Sequence, residues 1–191
     1  MTKLLLTPEN QIQRLNHFLN YVEDVKRESY DVLSFRPNST SWNVLEVLEH
    51  LRISHSLYKS NIDIALKELT QNSEVPWQYR PSLWTRLVLK GQRPKGNKRP
   101  FKIKTLKRFE PLLNENVTHD TSNRVFDGFF EAHHQLKQAI IDSRTKIIAH
   151  KKIPSAIGPI VKFHLPEAFE FLICHAERHK VQMDEIVASY H

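Results

Sequence analysis

Glycine is scarce in this chain, with four in 191 residues. Hairpin-rich β folds consume glycine wherever a turn needs positive φ, so its scarcity, beside abundant leucine, valine and long charged side chains, points to helices. A single cysteine, Cys174, excludes an intramolecular disulfide. No apolar run approaches the roughly 20 residues of a membrane span, and the short apolar stretch Leu4, Leu5 and Leu6 is far too brief for a secretory leader. A reducing cytoplasm is the expected compartment. At 40% hydrophobic residues the chain suffices for one sizeable core and is too short for two comfortable domains, so one domain over 1–191 is expected.

A second absence is local. From Val75 to Phe109 there is no Asp or Glu, while 11 of the 28 Lys and Arg fall there, among them Lys98, Arg99, Lys102, Lys104, Lys107 and Arg108. The net charge of +7 therefore originates in this stretch, and the rest of the chain carries an acidic excess.

Four amphipathic segments flank it. Thr7, Pro8 and Glu9 read as a cap, a first-turn proline and a first-turn acid; Leu15, Phe18, Val22 and Val25 come next at helical spacing, extending the first helix to about Leu33. After the break at Pro37 and Asn38, Asn43 with Glu46 resembles a capping box, opening a second helix with the stripe Leu48, Leu51, His55, Tyr58, Ile62 and Leu69. Ser122 or Asn123 opens a third, with Phe126, Phe129, His133, Leu136 and Ile140 on its seam, ending near Ser143. Pro166 and Glu167 open the fourth, whose seam Phe169, Leu172, Ala176, His179, Met183, Ile186 and Tyr190 alternates steps of three and four. The simplest packing is an all-α, antiparallel four-helix bundle with a long basic crossover between helices two and three. Within that crossover, Trp77, Leu83, Trp84, Leu87, Val88 and Leu89 suggest a short helix packed on the bundle, and Gly91, Pro94, Gly96 and Pro100 break the pattern beyond it.

The histidines carry the chemistry. His175 and His179 lie four apart, one turn along the same helical face, where two imidazoles can reach one divalent metal. His179 also stands at a seam position where an apolar side chain is expected; burying its ring unpaired would cost roughly 1–3 kcal/mol. Any one of these histidines alone is better explained as a hydrogen-bonded or half-exposed residue, the pair weighs evenly between the two readings, and a metal site needs a third ligand from another helix. His50 on the second helix is the candidate. Spacing cannot establish that contact.

Other chemistries fit less well. Glu177 lies two positions after His175, about 200° round the helix, on the opposite face from the pair, unlike the acid of H-E-x-x-H metalloproteases, and reads as a solvated residue. Cys174 beside His175 diverges from it by about 100°, which rules out a thiol–imidazole pair and leaves a core or half-buried thiol. No P-C-x-x-C follows an H-x-E, so the zinc deaminase signature is missing. His133 reads as a paired core residue, with a role beside the metal as the alternative. His55, His119, His134 and His150 read as packing or surface residues. Gln182, seven after His175, shares the ligand face and could hold a water beside the metal, or equally serve as a polar residue of helix packing.

The stretch Ser41-Trp42-Asn43-Val44-Leu45-Glu46-Val47-Leu48-Glu49-His50-Leu51 resembles the W-S-x-x-E-x-x-x-H-L start of helix two in DinB-like proteins. His175-Ala176-Glu177-Arg178-His179-Lys180-Val181-Gln182-Met183 resembles the H-x-x-x-H-x-x-Q-h segment of their last helix, h being apolar. Order and separation along the chain also fit, so the resemblance spans essentially the whole domain. It implies that His50, His175 and His179 are metal ligands, zinc or nickel suiting three imidazoles, with open positions where a metal lowers the pKa of water or of a coordinated thiol. It implies a metal-dependent hydrolase or thiol S-transferase acting on a small molecule, and a homodimer; it names neither the substrate nor a catalytic general base.

Two alternatives stay open: a non-catalytic DinB-like scaffold, or a polyanion-binding module using the basic 80–108 segment, with Trp77, Tyr79 and Trp84 placed to stack on nucleic acid or anchor to an anionic surface. A solvated basic loop is the plain reading. A further one is that Lys98, Arg99, Lys102 and Lys104 steer a small anionic substrate, such as a carboxylate-bearing thiol, toward the metal.

Overall fold

The computed structural model describes residues 4–69, 73–101, 104–111, 113, 118–148 and 151–191. It contains six α-helices, α1 (Pro8–Val25), α2 (Tyr30–Ser34), α3 (Val44–Glu68), α4 (Leu83–Gln92), α5 (His119–Ser143) and α6 (Leu165–Tyr190), and a two-stranded antiparallel sheet of β1 (Lys152–Ser155) and β2 (Gly158–His164). Among the described residues no helix is long and apolar enough to cross a membrane.

Local chemistry explains where these helices start. The Thr7 hydroxyl accepts from the Asn10 amide ahead of Pro8, and Asn43 and Glu46 close a reciprocal capping box at the head of α3. Helix α5 begins three residues earlier than the expected Ser122, because Thr118 caps it by accepting from the Thr121 amide. The expected first helix stops at Val25 and restarts at Tyr30, where the Ser29 hydroxyl accepts from the Val32 amide and caps α2.

Helices α1, α5, α3 and α6 touch in a closed ring, each packed on the next. The predicted seams supply the interior: Leu15, Phe18, Val22, Leu48, Leu51, Tyr58, Phe126, Phe129, Leu136, Phe169, Leu172 and Met183 are buried. Tyr190, assigned to the last seam, is instead 42% exposed. The apolar interior falls into two clusters. On α3 one ends at Leu51 and the other begins at Tyr58; on α6 the break lies between Ile173 and Ala176. His50, Ser54 and His55 on α3, with His175 on α6, occupy this level.

The all-α expectation is therefore met for most of the described chain and corrected at the hairpin. Ile153 and Phe163, paired across β1 and β2, are buried against α6 residues such as Phe171. The hairpin also reaches α3, where the Tyr58 hydroxyl and the Ser155 hydroxyl lie 2.6 Å apart.

The basic crossover is built onto the helices. The α4 face bearing Thr85 and Leu89 packs against α6, while Leu83, Trp84 and Leu87 stay exposed. Arg93 at its end pairs with the fully buried Glu170 at 2.6 Å, and Arg99 pairs with Glu185 at 2.5 Å. Trp77 is buried and its indole N–H donates to the Ser143 hydroxyl.

Candidate metal centre

The polar level between the two clusters is where His50, His175 and His179 meet. His50 projects from the second turn of α3; His175 and His179 lie one turn apart on α6. The Nε2 atoms of His50 and His175 are 3.2 Å apart, and those of His175 and His179 are 3.1 Å apart. The three residues present one nitrogen each within 4.8 Å of one another. The i, i+4 pair anticipated on α6 has thus acquired its third nitrogen from another helix.

The other ring nitrogens decide what these three can do. His50 Nδ1 lies 2.6 Å from the Phe109 carbonyl, and His179 Nδ1 lies 2.9 Å from Gln182 Oε1. Both partners are acceptors, so these contacts place the protons on Nδ1 and turn unprotonated Nε2 atoms toward the centre. His175 can then donate from Nε2, or its lone pair joins the other two. The second arrangement gathers three lone pairs at one point, which a cation satisfies and an apolar core does not.

The spacing suits a metal ion. Zn–N bonds of about 2.0–2.1 Å in a tetrahedral site imply nitrogens about 3.3–3.4 Å apart, and cis positions of an octahedral site at similar bond lengths imply about 3.0 Å. The two Nε2 separations fall between these values and do not choose the ion. The protonation state also suits ligation. Burial pushes the pKa of His50 below its ordinary value, against the opposing Phe109 carbonyl; burial, followed by the neighbouring histidines, pushes those of His175 and His179 well below. Neutral imidazoles are the form a metal requires.

Aromatic rings hold the ligands. Trp42 packs on His50 with ring centroids 4.9 Å apart and lies nearly parallel to His179, and Phe171 stacks on His175 at an interplanar angle of 14°. A cavity of about 350 Å³ opens in front of the histidines, lined in part by Trp42, Tyr58, Phe101, Phe109, Phe171 and Arg178.

The remaining candidates sort clearly. Gln182, expected to hold a water or to pack between helices, instead contacts His179 Nδ1 directly. Glu177, expected to be solvated, is instead half-buried and receives two hydrogen bonds from Arg14 at 2.7 Å, away from the histidines. Cys174 is buried against Glu170 and Arg14, and burial pushes its thiol up to about 12, so it carries no nucleophile at neutral pH. His133 is the paired core histidine expected, its Nε2 donating to the Leu15 carbonyl at 3.0 Å. His55 is buried beside it; His119 and His134 are exposed. Lys102 and His150 lie outside the described residues. Sequence reasoning assigned no role to the Phe109 carbonyl or to Arg178. A backbone carbonyl gives no residue-type signal, but Arg178, three positions after His175 on α6, lies near the ligand face by helical spacing alone.

Comparison of the chain with protein-family models, with curated proteins and with solved structures finds no match in any of the three.

Proposed function

We propose that this protein is a divalent-metal-dependent enzyme of DinB-like, antiparallel four-helix-bundle type, acting on a small molecule as a hydrolase or thiol S-transferase. The observation that carries the reading is the convergence of three ring nitrogens within 4.8 Å, His175 Nε2 lying 3.2 Å and 3.1 Å from those of His50 and His179, with these two backed by acceptors on Nδ1. Two contacts and not one set the metal's environment: Phe109 orients His50, and Gln182 orients His179. Groups of this kind fix the tautomer and raise ligand basicity.

A metal held by three imidazoles keeps positions open and, when bound, supplies Lewis acidity that lowers the pKa of a coordinated water or thiol. Among the described residues lining the cavity there is no Asp or Glu. None of those described residues supplies a carboxylate general base. Trp42 and Phe171 lock the ligand rings, and Phe101 and Phe109 give the substrate an apolar surface. Zinc and nickel both suit the donor set. The resemblance to DinB-like proteins supports a homodimer and adds nothing about the substrate.

Elemental analysis tests the site: wild type and His50→Ala are dialysed against one equivalent of zinc or nickel. Near-stoichiometric metal in the wild type and loss in the variant are expected, and turnover of an ester, amide or thiol-adduct panel should then vanish with chelation and return on reloading. Equal metal in both proteins removes the three-histidine site. Metal binding with no turnover across the panel leaves the non-catalytic scaffold.

A further inference from the structure

The cavity wall has one sign of charge. Arg99, Lys104 and Arg178 line it, and no acid among the described residues does, Glu185 meeting Arg99 from outside that lining. Arg178 is the informative one. It is 6% exposed, sits on α6 between the ligands His175 and His179, and donates from one nitrogen to the Phe101 carbonyl of the crossover. Its Nη1 is buried and has no hydrogen-bond partner. A buried guanidinium ordinarily meets a carboxylate that spans its fork of donors. The nearby acid, Glu185, is instead engaged by Arg99 at 2.5 Å, and no carboxylate among the described residues lies within ion-pair distance of Arg178. Burial and the adjacent Arg99 both disfavour its charge, Glu185 only partly opposing them. A guanidinium does not escape by losing its proton. An anion in the cavity would offset the local excess of positive charge at Arg178, whose fork has a donor left without a partner.

We propose that Arg178, assisted by Lys104 from the crossover, forms a subsite for the carboxylate or phosphate group of a small organic anion whose reacting end lies at the three histidines. The position of the reacting end rests on the metal reading above; the anion subsite stands on Arg178. A cavity of about 350 Å³ is the size of a small-molecule site. The depth of Arg178 favours such a ligand over a polymer, whose phosphates would remain on the outer surface of the crossover. Two of the crossover's cations, Arg93 and Arg99, are moreover already paired with Glu170 and Glu185. The plain reading of the crossover as a solvated loop does not account for this wall.

The test is calorimetric titration of inorganic phosphate into the metal-free protein at constant ionic strength, which removes coordination to a metal as a source of heat. Saturable binding is expected in the wild type, weakened about tenfold or more in Arg178→Gln, partly retained in Arg178→Lys, and little changed in His50→Ala. Absence of saturable binding in the wild type, or equal affinity in Arg178→Gln with helicity intact, overturns the subsite. If Arg178→Gln loses helicity, Lys104→Gln decides: weaker phosphate binding supports the subsite and unchanged binding overturns it. Displacement of bound phosphate by a single-stranded oligonucleotide would place the cations on an outer polyanion surface, against the proposal. Metal content of the same proteins is measured in parallel. Phosphate binding without metal binding defeats the metal reading alone, and metal binding without phosphate binding defeats the subsite alone.

Discussion

The Phe109 carbonyl accepts a hydrogen bond from His50 Nδ1 across 2.6 Å, so the tautomer of a helix-borne ligand is set by the last residue of the acid-free stretch. Phe109 closes a 3₁₀ turn over Lys107–Phe109 that packs on α3. The crossover thereby shapes the site from two sides: its backbone orients His50, and its basic residues wall the cavity.

Removing any one of the three ligands should abolish stoichiometric metal. His50→Ala, His175→Ala and His179→Ala should each weaken zinc binding well beyond the 10–100-fold typical of losing an outer hydrogen-bond partner, as competition with a chromogenic chelator would show. The metal-free variants should retain their helical circular dichroism, since the apolar clusters lie to either side of the histidines. Unfolding of metal-free His179→Ala would mark His179 as a core residue instead.

Gln182→Ala should weaken metal binding by about 10–100-fold while leaving the three ligands in place, because His179 Nδ1 loses its acceptor. Gln182→Glu should bind at least as tightly, a carboxylate being the stronger acceptor. The same chelator competition reads both, and equal affinity across all three proteins would remove Gln182 from the site.

Stability of the metal-free protein should fall as the pH is lowered. Burial is the first cause that depresses His55 to about 3 and His133 to about 4, whereas an unfolded chain titrates near 6.5. Above that value neither state takes the proton and the stability is fully present. Below it the unfolded chain binds protons that the folded one refuses, costing about 1.4 kcal/mol per pH unit for each histidine. Urea unfolding between pH 7 and 5 measures the slope, which His55→Leu should reduce by about one proton's worth.

Glu170 is fully buried between Arg14, at 2.7 Å, and Arg93, at 2.6 Å, and also accepts from Gln11. Glu170→Gln should destabilise the fold by about 3–5 kcal/mol, the cost of leaving buried charge uncompensated. Arg93→Gln should cost less, because Arg93 is partly solvated. Equal losses in denaturant unfolding would contradict this ranking.

Cys174 should resist alkylation until the chain unfolds. Its thiol is fully buried and pushed up to about 12, so the thiolate that reacts is scarce at pH 8. Iodoacetamide labelling followed by mass spectrometry should track denaturant unfolding; rapid labelling of the native protein would show the thiol to be open.

Much of this molecule is legible in its sequence because periodic burial is a local property. Leu15, Phe18 and Val22, or Phe126, Phe129, His133 and Leu136, declare a buried stripe by spacing alone, and Thr7 and Asn43 declare helix starts by chemistry that acts within three residues. The same locality makes His175 and His179 a recognisable pair. The hairpin was not legible: β1 has four residues and includes Pro154, and β2 is short, so neither carries a period strong enough to compete with its surroundings. The stop at Val25 was missed for another reason, as the apolar spacing from Val25 to Val32 and Leu33 continues through the break and only the Ser29 cap reveals it.

What the sequence determined by itself was the set of helical faces, the charge carried by the crossover and the identity of three candidate ligands. Tertiary structure alone decided that His50 meets the other two, that Phe109 fixes its proton, that Glu177 turns to Arg14 and that Arg178 is buried beside a cavity that no acid among the described residues lines. Helical spacing relates residues three and four apart, whereas 125 residues separate His50 from His175. Their meeting depends on the helices packing in a ring, a property of the whole core and of no single segment.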